Sequence, residues 1–119
     1  MAAFDAATLA VFRDANEVRI RAPGAERGII IWVVAIGDAL FVRSFLGADA
    51  GWYKAVRAKG EATLEHGRRK VPVRATAVTD RATIDAVSQA YLAKYASSSY
   101  APRMVRDEIL QTTLRLEPA

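Results

Sequence analysis

The 119-residue sequence contains no cysteine and one histidine, His66. Disulfides and thiolate chemistry are therefore excluded, and one chain cannot assemble a zinc site of standard composition. No carboxylates cluster at metal-ligand spacing, so no metal site is expected. The seven glycines are scattered singly, which leaves neither a Walker phosphate loop nor a dinucleotide-binding fingerprint. A serine triad would have to recruit His66, yet His66 and Gly67 read as a solvated hairpin turn. The longest unbroken apolar run, residues 29–36, is far short of the roughly 20 residues of a membrane-spanning helix. Met1-Ala2-Ala3-Phe4-Asp5 offers no basic segment ahead of an apolar one, as a secretory signal would, and the chain reads as cytoplasmic. Repeats, linkers and low-complexity tracts are also lacking.

What is present is the balance of one globular domain spanning residues 1–119, with 52% hydrophobic and 25% charged residues. The net charge is +4, and its excess sits in residues 43–74, where eight basic residues face Asp49, Glu61 and Glu65. A localised positive field suits a phosphate-bearing small molecule or a nucleic-acid backbone; the alternative is a solvated basic face.

Hydrophobic spacing predicts a short helix over 4–12, with Asp5 at its N-terminal end, and a half-buried strand at Val18-Arg19-Ile20-Arg21. Residues 28–36 read as a strand covered on both faces, joined by Gly37-Asp38 to a strand over 39–45. Asp49 is positioned to cap a short helix over 52–58, which Gly60 closes. Strands follow at 61–65 and from Val71 to near Thr79, with Pro72 expected at an edge or a bulge. The long helix of 80–96 carries an apolar stripe of Ile84, Val87, Tyr91, Leu92 and Tyr95, for which core packing is the default. A short helical turn within 102–110 and a last strand alternating from Thr112 to Glu117 complete the order. Hairpins dominate, so the expected fold is α+β: a small, mostly antiparallel, six-stranded split β-barrel with an N-terminal, a short and a long helix.

The residues that could carry chemistry are Arg43 and Ser44, leaving a central strand, then Gly47, Trp52 and Tyr53. A guanidinium fork, a hydroxyl and free donors at a helix start together suit a phosphate, and the aromatics suit a flat ring. The structural alternative pairs Arg43 with Glu61 or Glu65 and uses Trp52 and Tyr53 to plug a barrel end.

Ile31-Trp32-Val33-Val34, Gly37-Asp38, Leu40-Phe41-Val42-Arg43-Ser44, Gly47 and Trp52-Tyr53 resemble the signature of the domain-of-unknown-function family numbered 2255. Ala90-Tyr91, Lys94-Tyr95 and Thr113-Leu114-Arg115-Leu116-Glu117-Pro118 resemble its end. More distantly, the order of these pieces is similar to the deazaflavin-dependent nitroreductases and the wider flavin-binding split-barrel group. That resemblance implies a dimeric barrel with a flavin or deazaflavin phosphate near the end of the third strand, faced by Arg43, Ser44 and the stretch from Gly47, with Trp52 and Tyr53 bordering the site. The chain departs from the flavin-mononucleotide binders where their basic pair is replaced by Leu46-Gly47-Ala48-Asp49.

The leading functional expectation is a flavin- or deazaflavin-type oxidoreductase, using flavin mononucleotide or a deazaflavin (F420) held weakly because of Asp49. The competing one is a non-catalytic module on the same barrel that binds an anionic or aromatic small molecule. Nucleic-acid binding ranks last, because aromatics among the basic residues are few. A homodimer is expected from the apolar strand 29–36, which so small a barrel leaves partly uncovered.

Overall fold

The computed structural model describes residues 3–119; Met1 and Ala2, the start of the expected 1–119 domain, lie outside the described residues. Helix α1 (Ala6–Asp14) begins where the Asp5 carboxylate accepts the Thr8 N–H at 2.7 Å, satisfying a donor that the helix start would otherwise leave open. Strands β1 (Val18–Arg21), β2 (Ile29–Ile31), β3 (Val33–Ile36) and β4 (Ala39–Val42) precede helix α2 (Gly51–Lys59). Then come β5 (Glu61–His66), β6 (Arg69–Ala77), the long helix α3 (Arg81–Lys94), a 3-10 turn at Ala101–Val105, a short α4 (Asp107–Leu110) and β7 (Leu114–Pro118).

All pairings in the single sheet are antiparallel, in the order β2-β1-β5-β6-β7-β4-β3. The two edge strands, β2 and β3, are consecutive in the chain and separated by Trp32 alone. The sheet therefore curls until its edges meet at one residue, and the barrel closes through a peptide link rather than through a hydrogen-bonded ladder. The fold is an α+β split barrel with seven strands among the described residues, where six were expected. The extra strand arises because the single strand anticipated over 28–36 breaks at Trp32. That expected strand is also covered on both faces only in its second half. Val33 and Val34 are buried, whereas Ile29 and Ile30 are 47% and 51% exposed.

Alternation sorts the core into two layers. Ile20, Leu40, Val42, Leu64, Leu114 and Leu116 fill the barrel with Phe12 from α1 and Val56 from α2. Burying each such side chain stabilises the fold by about 1.5–3 kcal/mol. On the outer face, Val34 and Phe41 meet Val87 and Tyr91 of α3 with Met104 and Ile109. The expected α3 stripe holds except at Leu92, which is 36% exposed. At about 100° per residue, Ser88 rather than Leu92 falls on the inward face.

Three boundaries differ from expectation for local reasons. The strand expected over 39–45 stops at Val42, because Arg43 and Ser44 turn to partners outside the ladder. The last strand starts at Leu114, since Thr112 and Thr113 serve those same partners. Contrary to expectation, Pro72 lies neither in an edge strand nor at a bulge but inside β6, the central strand of the sheet, in unbroken register with β5. It faces Thr63 of β5, but its carbonyl accepts from Ala119 N at 3.1 Å beyond the end of the β6–β7 ladder, so its missing N–H interrupts no strand pairing.

Candidate functional site

The break at Trp32 is spliced by three polar side chains, two from α3 and one from its C-cap, Tyr95. The Tyr91 hydroxyl donates to Trp32 O at 2.8 Å. The Tyr95 hydroxyl accepts from Val33 N at 3.2 Å and donates to Asn16 O at 2.7 Å, while Lys94 Nζ donates to Val33 O at 2.6 Å. Backbone groups that would be orphaned by leaving the ladder are thus satisfied by the helix, which makes the break stable. The Trp32 ring lies flat on Tyr95, with centroids 4.0 Å apart and planes within 4°.

A groove of about 420 Å³ opens on this seam, within the ordinary range of small-molecule sites. Its walls are the β2 isoleucines, Trp32, Phe45, Leu46, Trp52, Tyr100 and Met104, and Arg43 is its one charged lining residue. Four of the large hydrophobics around it are open to solvent: Ile29, Ile30, Leu46 at 78% and Tyr100 at 55%.

Arg43 is 1% exposed. Its Nε donates to Thr113 Oγ1 at 2.8 Å, and its terminal nitrogens donate to Ser88 Oγ, Met104 O and Ile84 O, each at 2.9 Å. The guanidinium also stands over the Tyr91 ring at 5.7 Å. Every acceptor is uncharged, so the cation is solvated by dipoles and forms no direct ion pair among the described residues. The alternative in which Arg43 pairs with Glu61 or Glu65 is corrected: Glu65 pairs with Arg21 instead. Burial lowers the Arg43 pKa, with Tyr91 and Asp85 opposing. Four of its five N–H donors are taken up internally.

Ser44 is fully buried; its hydroxyl donates to Gly47 O at 2.6 Å and its N–H to Thr112 Oγ1 at 3.0 Å. Gly47, at φ +91°, closes that turn with its N–H on Ser44 O, a left-handed conformation that glycine adopts without strain. These two residues form the turn that displays Phe45 and Leu46. Trp52 lines the groove, and Tyr53 backs it edge-on at 5.9 Å while its buried ring packs in the barrel. Asp49 does not cap α2: the N-cap is Ala50, and no side chain bonds the helix start. Asp49 is exposed and outside the groove. Of the five candidate residues, then, Arg43 and Trp52 reach the groove. Ser44, Gly47 and Tyr53 support it.

Residues missed by sequence reasoning are Trp32, Phe45, Leu46, Tyr100 and Met104. The available signal was apolar surface in non-ladder positions, since Phe45, Leu46 and Tyr100 fall in turns where burial is not enforced. Two arginines border the same wall. Arg106 stands 5.2 Å over the Phe45 ring and donates to its carbonyl, and Arg103 stands 5.5 Å over the Tyr100 ring.

Burial around the seam also sets a pH response. Desolvation pushes the Lys94 pKa from 10.5 down to about 8 against the pull of Asp14. It pushes the Tyr95 pKa from 10.0 up to about 12, opposed by the Val33 hydrogen bond, and raises Tyr91 further. Between about pH 8 and 10.5 the unfolded chain holds a proton that folded Lys94 has shed, so stability rises with pH there. Above about pH 10 the unfolded tyrosines ionise while the folded ones stay protonated, so stability falls again. Urea midpoints are therefore expected to be highest between about pH 9 and 10, with Lys94→Met flattening the rise. A midpoint unchanged from pH 7.5 to 9.5 in the wild type would contradict this assignment.

An antiparallel barrel closed by one residue, with an aromatic groove on its seam, defines a split-barrel protein. The chain belongs to the DUF2255 family, described as uncharacterized proteins conserved in bacteria, whose model matches residues 8–116. Among solved structures it is similar to an F420-H2 dependent reductase (FDR-A), at 16% identity and TM-score 0.62 over 87% of this chain and 96% of that one. It is also similar to a putative pyridoxamine 5'-phosphate oxidase from Listeria innocua, at 10% identity and TM-score 0.62 over 95% and 90% of the two chains. A conserved hypothetical protein, Rv2991 from Mycobacterium tuberculosis, aligns at 14% identity and TM-score 0.63 over 99% and 81%. At these identities the likeness is one of fold. No curated protein matches the sequence. No helix of the described residues is long and apolar enough to cross a membrane.

Proposed function

We propose that the seam groove holds the ring of flavin mononucleotide or of a deazaflavin, and that the protein is an oxidoreductase built on this binding. The observation that carries the reading is the groove itself, aromatic-walled with a single guanidinium. Two of the structural neighbours carry names of redox enzymes, a reductase and a putative oxidase, which supports the same class. When bound, such a cofactor supplies hydride transfer. The chain's own residues place and shield the ring: Trp32 and Trp52 offer flat walls, and Phe45, Leu46 and Tyr100 exclude water. Arg43, buried behind the groove wall, lends its positive charge to whichever ring edge carries the most electron density.

The phosphate anchor is reassigned. Ser44 and Gly47 have closed their polar groups on each other, so in this reading Arg103 and Arg106, beside Tyr100 and Phe45, face the phosphate. Asp49 lies outside the groove, and its charge acts only through solvent. Asp49→Lys is then expected to tighten binding by less than about 1 kcal/mol. Binding stays weak because Arg43 is the one charged residue lining the groove, and the purified protein is expected to be colourless.

Titration with flavin mononucleotide and separately with a deazaflavin, read by tryptophan fluorescence, is the test. Quenching is expected for at least one, with Trp52→Ala weakening it about tenfold by loss of stacking of roughly 1–3 kcal/mol. No quenching by either at about 1 mM would instead favour the non-catalytic module. One observation favours that module in its own right: the groove offers Arg43 and the Tyr100 hydroxyl but no histidine, lysine or carboxylate for acid–base work.

The homodimer belongs to the same proposal. Strand β2 pairs on one side only, with β1, and its exposed isoleucines continue into Leu46 and Tyr100. A second copy over this face would cover the patch and roof the groove. Light scattering is expected to return twice the chain mass, and Ile30→Glu the single mass, because each interface would acquire buried carboxylates.

A further inference from the structure

Trp32 also borders a second depression, of about 410 Å³, whose other walls are Asn16, Glu17, Lys94, Tyr95, Ser97 and Ser98. It differs from the ring groove in kind, being polar and provided with an amine. Lys94 is one of only four lysines in the chain, and it takes part in none of the ion pairs among the described residues. Its Nζ instead donates to two backbone carbonyls, Val33 O at 2.6 Å and Phe12 O at 3.2 Å, and lies 5.3 Å from the Tyr95 ring centroid.

Two acceptors accommodate a neutral amine as well as an ammonium. An ammonium has three protons to place and a neutral amine two, so both bonds survive deprotonation and the lone pair takes the side without a protein partner. The burial that holds the Lys94 pKa at about 8 favours the neutral form. At pH 7 roughly one such amine in ten is unprotonated, against about one in a few thousand for an ordinary lysine. The groups that face it are Asp14 at the end of α1, Glu17 on the link to β1 and Tyr95 beside it at the C-cap of α3; from β3 it meets the backbone.

We propose that Lys94 is a carbonyl-capturing amine, and that this depression is a binding site for a small uncharged aldehyde. The nitrogen lone pair attacks the carbonyl carbon, and the C–O π electrons go to oxygen, which takes up a proton. The nitrogen supplies that proton, and the resulting carbinolamine loses its hydroxyl together with the one proton left on nitrogen as water, leaving a neutral imine. No oxidant or reductant is consumed. The flat Trp32–Tyr95 stack offers an apolar wall, the Ser97 and Ser98 hydroxyls offer hydrogen bonds to a hydroxyaldehyde, and Glu17 disfavours an anionic one. The proposal is independent of what fills the ring groove.

Competitive labelling of the intact wild-type protein tests it. Propionaldehyde with sodium cyanoborohydride, applied briefly at pH 7 and followed by peptide mass spectrometry, ranks Lys94 against the exposed Lys54, Lys59 and Lys70. Lys94 is expected to be alkylated about tenfold or more faster than any of the three, with a rate that levels off near pH 8. Glyoxylate, an anionic aldehyde, is expected to lose that preference. A lysine that merely clamps α1 and β3 would be the slowest of the four. Labelling of Lys94 at or below the rate of the exposed lysines overturns the proposal, and so does an equal preference for the anionic aldehyde.

Discussion

Arg43→Ala is expected to lower the unfolding free energy by about 3–5 kcal/mol, more than any surface substitution in this chain. The side chain is fully enclosed and ties four segments together: α3 through Ile84 and Ser88, the 3-10 turn through Met104, the turn before β7 through Thr113, and its own strand end. Alanine removes four charge-assisted hydrogen bonds and leaves a void in a packed layer. Arg43→Lys keeps the charge but not the planar fork, so it is expected to recover only part of the loss. Glu61→Ala, by contrast, is expected to change stability by no more than about 0.5 kcal/mol, because Glu61 is exposed and not an Arg43 partner. Urea denaturation of the three variants decides the matter. A cost below about 1 kcal/mol for Arg43→Ala would mean that the network does not hold these segments.

Trp32→Ala is expected to cost about 2–4 kcal/mol and, on the proposed function, to abolish ring binding in the groove. The indole is only half-buried, but it is the single residue across which the barrel closes, and it stacks on Tyr95 at 4.0 Å. Without it, the wall shared by the groove and the Lys94 depression is gone. Trp32→Phe retains a stacked ring and is expected to keep most of the stability. Hydrogen exchange offers a local readout: in Trp32→Ala the Val33 amide should exchange markedly faster while amides in the β5–β6 hairpin do not. Uniform acceleration throughout the chain would mean that the seam unfolds only with the whole barrel.

Much of this architecture was legible in the pattern of residues. Asp5 and Asp80 mark the N-terminal ends of their helices by residue type and position, and in the structure both carboxylates cap by accepting from the residue three positions on. The hairpin at Gly37-Asp38 and the alternation of Val73, Ala75, Leu114 and Leu116 are local signals, and the sheet uses them as expected. Where reading failed, the deciding partner was remote in sequence. Nothing near Trp32 indicates a break, because the groups that make the break tolerable are Tyr91, Lys94 and Tyr95, some 59 to 62 residues away. Asp49 looks like a cap by type and position, but only the path of the backbone decides whether a carboxylate reaches a helix start.

The sequence alone determined the α+β barrel, the positions of its strands to within a few residues, and the pairing of an arginine with aromatics near one strand end. It did so because periodicity and turn chemistry are properties of neighbouring residues. Only the tertiary structure decided that Arg43 is held by acceptors 41 to 70 residues distant, that Ser44 and Gly47 satisfy each other, and that Trp32, Trp52 and Tyr100 share one groove. The physical reason is that a buried polar group must find its partners wherever the closed barrel brings them, and that closure is set by the edges of the whole sheet meeting at a single residue.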